Sequence, residues 1–201
     1  MKTKAVILDA MGVIYPVGDD VTYLLCPFIV EKGGIADIDK INSLYNIASL
    51  GNITSVEFWQ AVGIDPILED EYLQRHMLTD GLIEFLEAMN SAGVEVWCLS
   101  NDLAEWAKKL RTRFNLERYF RGFVISGDVG LRKPDPAIFQ HLLGQMSVNA
   151  DDAVFVDDNP KNLDPATKMG FKTVLFNASG GNFSQAGYET VRDFNELLRR
   201  L

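Results

Sequence analysis

Five short apolar runs, separated by segments with helical spacing, constrain the fold more than any other feature of the chain. They are "AVILDA" (5–10), "VEVWCLS" (94–100), "GFVIS" (122–126), "DAVFVDD" (152–158) and "FKTVLFN" (171–177). Each is short for a helix and apolar on successive residues, the mark of a strand buried on both faces. Between them "LAEWAKKLRTRF" (103–114), "PDPAIFQHLLGQM" (134–146) and "PKNLDPATKMG" (160–170) read as helices. Strands alternating with helices predict an α/β architecture, a doubly wound parallel sheet with helices on both faces. Ligands of such sheets bind beyond the carboxyl ends of the strands. Asp9, Ser100, Asp157 and Asp158 each stand at such an end.

The alternation stops between residues 16 and 78. "VTYLLCPFIVEKGG", "ADIDKINSLYNIASLG", "TSVEFWQAVG" and "ILEDEYLQRHM" all have helical spacing, and Thr54 with Glu57 forms a capping-box pattern. A small α-helical cap over 16–78, inserted into a core made of 1–15 and 79–201, accounts for the break. Thr79 and Asp80 then open the helix "GLIEFLEAMNSAG", with Gly93 as its stop. "NASGGNFSQAG" (177–187) reads as a loop, and "YETVRDFNELLRR" as the final helix. No internal repeat is evident, and 201 residues suit one domain with a small insertion.

Hydrophobic residues make up 47% of the chain and charged residues 23%, enough for a sizeable core. The net charge of −9 argues against nucleic acid or an anionic membrane as the main partner. An anionic substrate must therefore be attracted locally, by a metal or a few cations. Cys26 and Cys98 sit among apolar neighbours and read as buried thiols. The basic start Met1–Lys4 is compatible with a secretory signal, but Asp9 interrupts the apolar run that follows. No run approaches ~20 uninterrupted apolar residues, so no membrane span is expected and the cytoplasm is the expected location.

Four motifs carry the chemistry: "LDAMGV" with Asp9, "CLSN" with Ser100 and Asn101, "GLRKPDPAIF" with Lys133, and "VFVDDNPKN" with Asp157, Asp158 and Asn162. In this order, and across the whole chain, they resemble the haloacid dehalogenase superfamily of phosphatases and dehalogenases. The match is to subfamily I, with a helical C1-type cap after the first motif and a Rossmann-like core. The last motif, "DDxxxN", resembles the branch with sugar-phosphate phosphatases and the phosphatase half of soluble epoxide hydrolase. The resemblance implies an aspartyl-phosphate on Asp9. It implies Mg²⁺ held by Asp9, Asp158 and the backbone carbonyl of Met11, with Asp157 and Asn162 in support. Physical logic points the same way, because phosphoryl transfer needs an in-line nucleophile, a metal and cations on the phosphoryl oxygens. Lys133, the Ser100 hydroxyl and the Asn101 backbone N–H suit those oxygens, and Gly12 suits a sharp turn beside them. Each residue also has a plainer reading. Asp9 could end a strand, Ser100 or Asn101 could cap helix 102–115, the acidic pair could cap a helix, and Lys133 could be a surface lysine.

Met11 departs from the pattern. Phosphatases of this family usually carry Asp there, to protonate the leaving alkoxide and then deprotonate water. A thioether does neither, and losing a general acid/base typically costs about 10²–10⁴-fold in rate. Three readings follow. The first is a Mg²⁺-dependent phosphatase or phosphotransferase acting on a small phosphorylated metabolite, slow or selective for good leaving groups, with help from a cap residue. The second is a 2-haloacid dehalogenase, whose halide leaves without a proton. The third is a non-catalytic protein that binds phosphate or a partner. The retained acidic pair favours the first. Lys32, Lys40 and Arg75 in the cap could reach a substrate; His76 and His141 read as structural or surface residues, and Trp59, Trp97 and Trp106 as core. A monomer or homodimer is expected.

Overall fold

A computed structural model describes residues 3–178 and 187–201. Six strands form one parallel sheet in the order β3-β2-β1-β4-β5-β6. They are β1 (Ala5–Leu8), β2 (Glu95–Ser100), β3 (Gly122–Ile125), β4 (Ala153–Asp157), β5 (Lys172–Phe176) and β6 (Glu189–Val191). Side chains alternate across the sheet as the apolar runs require. In β1, Val6 and Leu8 join one core cluster, while Ala5 and Ile7 join the cluster on the opposite face. The strand order reverses on either side of β1, so its carboxyl end, between those of β2 and β4, is a switch point for ligand binding.

Between β1 and β2 the chain inserts α1 (Cys26–Glu31), entered through a π-helical turn at Val21–Leu25, then α2 (Ile38–Ala48), α3 (Ser55–Ala61) and α4 (Glu69–Leu73). The capping box at Thr54 is formed: its side chain accepts from Glu57 N, and the Glu57 carboxylate accepts from Thr54 N. Helix α5 (Leu82–Ser91) leads into β2, with Gly93 at φ +71° just past its end. Then come α6 (Ala104–Arg113), the short α7 (Ser126–Val129), α8 (Pro136–Gln145), α9 (Pro160–Lys168) and α10 (Phe194–Arg200). Among the described residues no helix is long and apolar enough to cross a membrane.

One buried carboxylate ties two of the inserted helices to α6. Glu69, at the start of α4, accepts from Trp59 Nε1 of α3 at 2.9 Å and from Trp106 Nε1 of α6 at 2.8 Å. Its other oxygen pairs with Lys109 of α6 at 2.8 Å. Trp59, Trp97 and Trp106 are all buried, as are the free thiols of Cys26 and Cys98.

One expectation fails at the C-terminal end. The helix expected over 188–200 starts only at Phe194, and Glu189–Val191 pair with β5 instead. Val191, Phe194 and Leu197 are spaced as on one helical face, which hides the strand, but Asp193 caps the helix by accepting from Glu196 N. The loop expected over 177–187 falls, for residues 179–186, outside the described residues.

Candidate active site

Three neighbouring strands deliver the site. Asp9 follows β1, Ser100 ends β2, and Asp157 ends β4 with Asp158 next. The fourth contributor is Lys133, before α8. Its ammonium is 2.7 Å from Asp9 Oδ1 and 2.7 Å from Asp157 Oδ2, with the residue only 2% exposed. This is no surface lysine. Burial alone would lower its pKa, but the carboxylates of Asp157 and Asp9 outweigh that and raise it.

The carboxylates are not equivalent. Asp157 Oδ1 accepts from Asn159 N at 2.8 Å and Asn162 Nδ2 at 3.0 Å. Its Oδ2 accepts from Lys133 Nζ at 2.7 Å and the same Asn162 amide at 3.0 Å. Both oxygens are thus committed, and Asp157 with Asn162 forms a fixed support. Asp9 Oδ1 accepts from Lys133 and from Ala10 N at 2.6 Å. Burial pushes the Asp9 carboxyl well above the usual range, as does Asp157; Lys133 offsets part of this. Burial, then Asp157, pushes Asp158 up to about 6.

Asp158 lies in a groove between two glycines. A Cβ at Gly12 or at Gly18 would overlap its carboxylate. Gly12 also has φ +78°, inside the turn where Tyr15 N donates to Ala10 O at 2.9 Å. Ligand atoms of Asp9, Asp157 and Asp158 lie within 4.8 Å of one another. Three carboxylates against one ammonium leave excess negative charge, which a hard cation with oxygen ligands relieves. The donor set therefore fits Mg²⁺.

Ser100 is 1% exposed, and its Oγ has no hydrogen-bond partner among the described residues. A buried hydroxyl in that state, beside a lysine, suits a ligand oxygen. It does not cap a helix, because the N-cap of α6 is Leu103. The Asn101 side chain holds the backbone of Lys133: Lys133 N donates to its Oδ1 at 2.8 Å, and its Nδ2 donates to Lys133 O at 2.9 Å.

Asp9, Ser100, Asn101, Lys133, Asp158 and Asn162 line a cavity of about 220 Å³. Its remaining wall includes residues that sequence reasoning did not single out: Asp19, Asp20, Asn42, Tyr45, Asn46 and Arg132. Arg132 donates to Asn46 Oδ1 at 2.5 Å and Ser49 Oγ at 3.0 Å, and Tyr45 Oη donates to Asn101 O at 3.2 Å. No local pattern marks them, since only the tertiary fold brings α2 over β2. Met11 lines the cavity too and belongs to the apolar core cluster. The cap cations do not reach this cavity. Lys32 pairs with Glu71 and Glu31, Arg75 pairs with Glu31, and Lys40 is exposed. His76 is buried edge-on to Tyr15 and Tyr72, and His141 bonds Gln145; neither lines the cavity.

Fold and site together define an α/β protein whose carboxylates and buried lysine meet at the switch point of a parallel sheet. The chain belongs to the haloacid dehalogenase-like hydrolase family, whose pattern matches residues 3–170. It is 35% identical over 97 residues to (S)-2-haloacid dehalogenase 4A of Burkholderia cepacia, covering 48% of this chain and 42% of that one. It is 26% identical over 191 residues to a phosphoglycolate phosphatase of Pseudomonas savastanoi pv. phaseolicola, covering 85% of this chain and 68% of that one. The chain spans less than half the length of the first curated relatives it matches. The fold is shared with a HAD phosphatase from Thermococcus onnurineus, at TM-score 0.77 and 22% identity, covering 100% of this chain and 97% of that one.

Proposed function

We propose that the protein is a cytoplasmic, Mg²⁺-dependent phosphohydrolase, acting on a small phosphorylated metabolite through an aspartyl-phosphate on Asp9. The observation that carries this reading is the Lys133 ammonium, buried and held 2.7 Å from both Asp9 and Asp157, beside the unpartnered Ser100 hydroxyl. Residues 1–15 and 79–201 serve as the catalytic core and 16–78 as a C1-type cap, with the "DDxxxN" motif supplying the acidic pair.

Asp9 Oδ1 is tied to Lys133 and Ala10 N, which fixes the carboxylate and leaves Oδ2 to attack phosphorus in line. Lys133, the Ser100 hydroxyl and the Asn101 backbone N–H receive the phosphoryl oxygens. Asp9, Asp158 and the Met11 carbonyl would hold Mg²⁺, with Asp157 and Asn162 fixing their surroundings. When bound, the ion supplies positive charge to the phosphoryl oxygens and relieves repulsion from the carboxylates. The cavity of about 220 Å³ favours a compact substrate, since drug-sized ligands occupy roughly 300–1,000 Å³.

A second reading, a 2-haloacid dehalogenase, is favoured by Met11 and by the similarity to the Burkholderia enzyme. The Asp157–Asp158 pair speaks against it, because it places negative charge where a carboxylate substrate would lie. The deciding experiment is phosphate release from an aryl phosphate, with Mg²⁺ or EDTA, for wild type and Asp9→Asn. Mg²⁺-dependent release lost in the variant supports the phosphohydrolase. Halide release from a 2-haloacid, indifferent to EDTA, overturns it.

A further inference from the structure

The cavity contains a second carboxyl group, outside the acidic cluster, that the steps above do not use. Asp20 lies at the entrance to the π-helical turn, is 5% exposed, and lines the same cavity as Asp9 and Met11. It is brought there by Gly18, whose backbone packs against the Asp158 carboxylate and Gly12. Although placed as an N-cap, its side chain makes no capping bond. It has no salt-bridge partner among the described residues, and its one side-chain hydrogen bond comes from Tyr72 Oη at a long 3.4 Å. Neighbouring Asp19 is different: it is exposed and committed to Thr22 N at 3.0 Å.

We propose that Asp20 is the proton-transfer residue of this site, taking the role that the Met11 thioether cannot perform. The inference rests on the phosphohydrolase reading. As Asp9 bonds to phosphorus and the ester P–O bond breaks, the Asp20 carboxyl gives its proton to the leaving alkoxide. Its carboxylate then takes a proton from water as the water oxygen bonds to phosphorus and the Asp9–phosphorus linkage breaks. Phosphate leaves, Asp9 is restored as carboxylate and Asp20 as carboxylic acid.

The surroundings of Asp20 suit both halves of this cycle. Burial, helped by Asp19, pushes its carboxyl up to about 7, while its own backbone N–H, then the Tyr72 hydroxyl and the Val21 N–H, pull the other way. Asp102, just after β2, has its carboxyl pushed well above the usual range by burial and then by Asp20. Tyr45 of α2 and Cys26 of α1, the other titratable neighbours, have raised pKa values and remain neutral. A group half-protonated near neutrality is placed to act as acid and then base. No other cavity residue offers this. Asp9 and Asp158 are the side chains that would hold the ion, Asn42 and Asn46 do not titrate, and Arg132 offers only donors.

The test compares wild type, Asp9→Asn, Asp20→Asn and Tyr72→Phe on p-nitrophenyl phosphate and on an alkyl phosphate, across pH 5–9 with Mg²⁺. Asp20→Asn is expected to lose about 10²–10⁴-fold on the alkyl ester and less than about tenfold on the nitrophenyl ester, which needs no protonation. The pH limb near 7 disappears with it. Tyr72→Phe keeps the carboxyl but removes its hydrogen bond, so the limb moves up; this reads the role even if Asp20→Asn fails to fold. An unchanged alkyl-to-aryl ratio in Asp20→Asn, or an unmoved limb in Tyr72→Phe, overturns the assignment while Asp9→Asn stays inactive. Turnover surviving Asp9→Asn overturns the underlying reading, and this role with it.

Discussion

Asn101 and Lys133 are joined by a reciprocal pair of hydrogen bonds, 2.8 Å from Lys133 N to Asn101 Oδ1 and 2.9 Å from Asn101 Nδ2 to Lys133 O. A side chain just after β2 thus fixes the backbone of a residue 32 positions further on. Asn101→Ala deletes both bonds but keeps its own backbone N–H. The variant is expected to lose about 1–3 kcal/mol of stability, from two bonds of about 0.5–1.5 kcal/mol each. Turnover should fall by about 10²-fold as the ammonium shifts by ångströms. Urea unfolding and aryl phosphate kinetics measure the two effects, and an unchanged rate contradicts the positioning role.

Removing the ammonium exposes what it compensates. In Lys133→Met two buried carboxylates face each other without a cation, at an expected cost of about 3–5 kcal/mol near pH 8. The deficit should shrink toward pH 4. Burial already raises the folded-state pKa of Asp9, so losing Lys133 raises it further and a proton replaces the missing charge. Denaturant midpoints at the two pH values check this. A deficit independent of pH excludes charge as its origin.

On the proposed reading, Mg²⁺ and protons compete for one pair of groups. Asp9 and Asp158 have folded-state pKa values above the unfolded ones, Asp158 at about 6, so the folded form holds protons that the unfolded chain releases. The contribution of Asp158 is complete below about pH 4 and is lost as pH rises through about 6, and that of Asp9 has the same sign. Mg²⁺ needs the carboxylates ionised. It should therefore raise the melting temperature at pH 8 and leave it nearly unchanged at pH 5, and Asp158→Asn should abolish the shift. Equal shifts at both pH values count against these ligands.

Two glycines with similar backbone angles should respond differently to alanine. Gly93 has φ +71° and nothing within 4 Å of an added Cβ, so Gly93→Ala costs only backbone strain, about 1–2 kcal/mol. Gly12 has φ +78°, and its added Cβ overlaps Asp158. Gly12→Ala should lose more stability and also the Mg²⁺-dependent melting shift. Thermal unfolding of both, with and without Mg²⁺, separates strain from displaced ligand.

The strands of the core and the inserted helices could be read from sequence because their signals are local. Apolar runs mark strands buried on both faces, and Thr54 with Glu57 marks a helix start. β6 escaped because Glu189 and Thr190 are exposed, leaving Val191 as its one buried contribution. Asp9, Ser100, Lys133 and Asp158, which the structure brings together, could be singled out because each lies in a motif at an element boundary. Asp20, Asn46 and Arg132, which line the same cavity, could not, since they meet it only when the insertion folds back over the sheet. The Asn101 side chain was also hidden, because its partner is main chain.

The double acceptor at Glu69 makes the protein report optically on itself. Trp59 on an inserted helix and Trp106 on a core helix have ring centroids 5.3 Å apart and both donate to this one carboxylate. Trp97, the remaining tryptophan, lies in the other apolar cluster, across the sheet. Any relative movement of the two parts breaks an indole hydrogen bond and changes two of the three fluorophores together. The contact of the inserted helices with α6 can therefore be followed by intrinsic emission, with no label and no substitution.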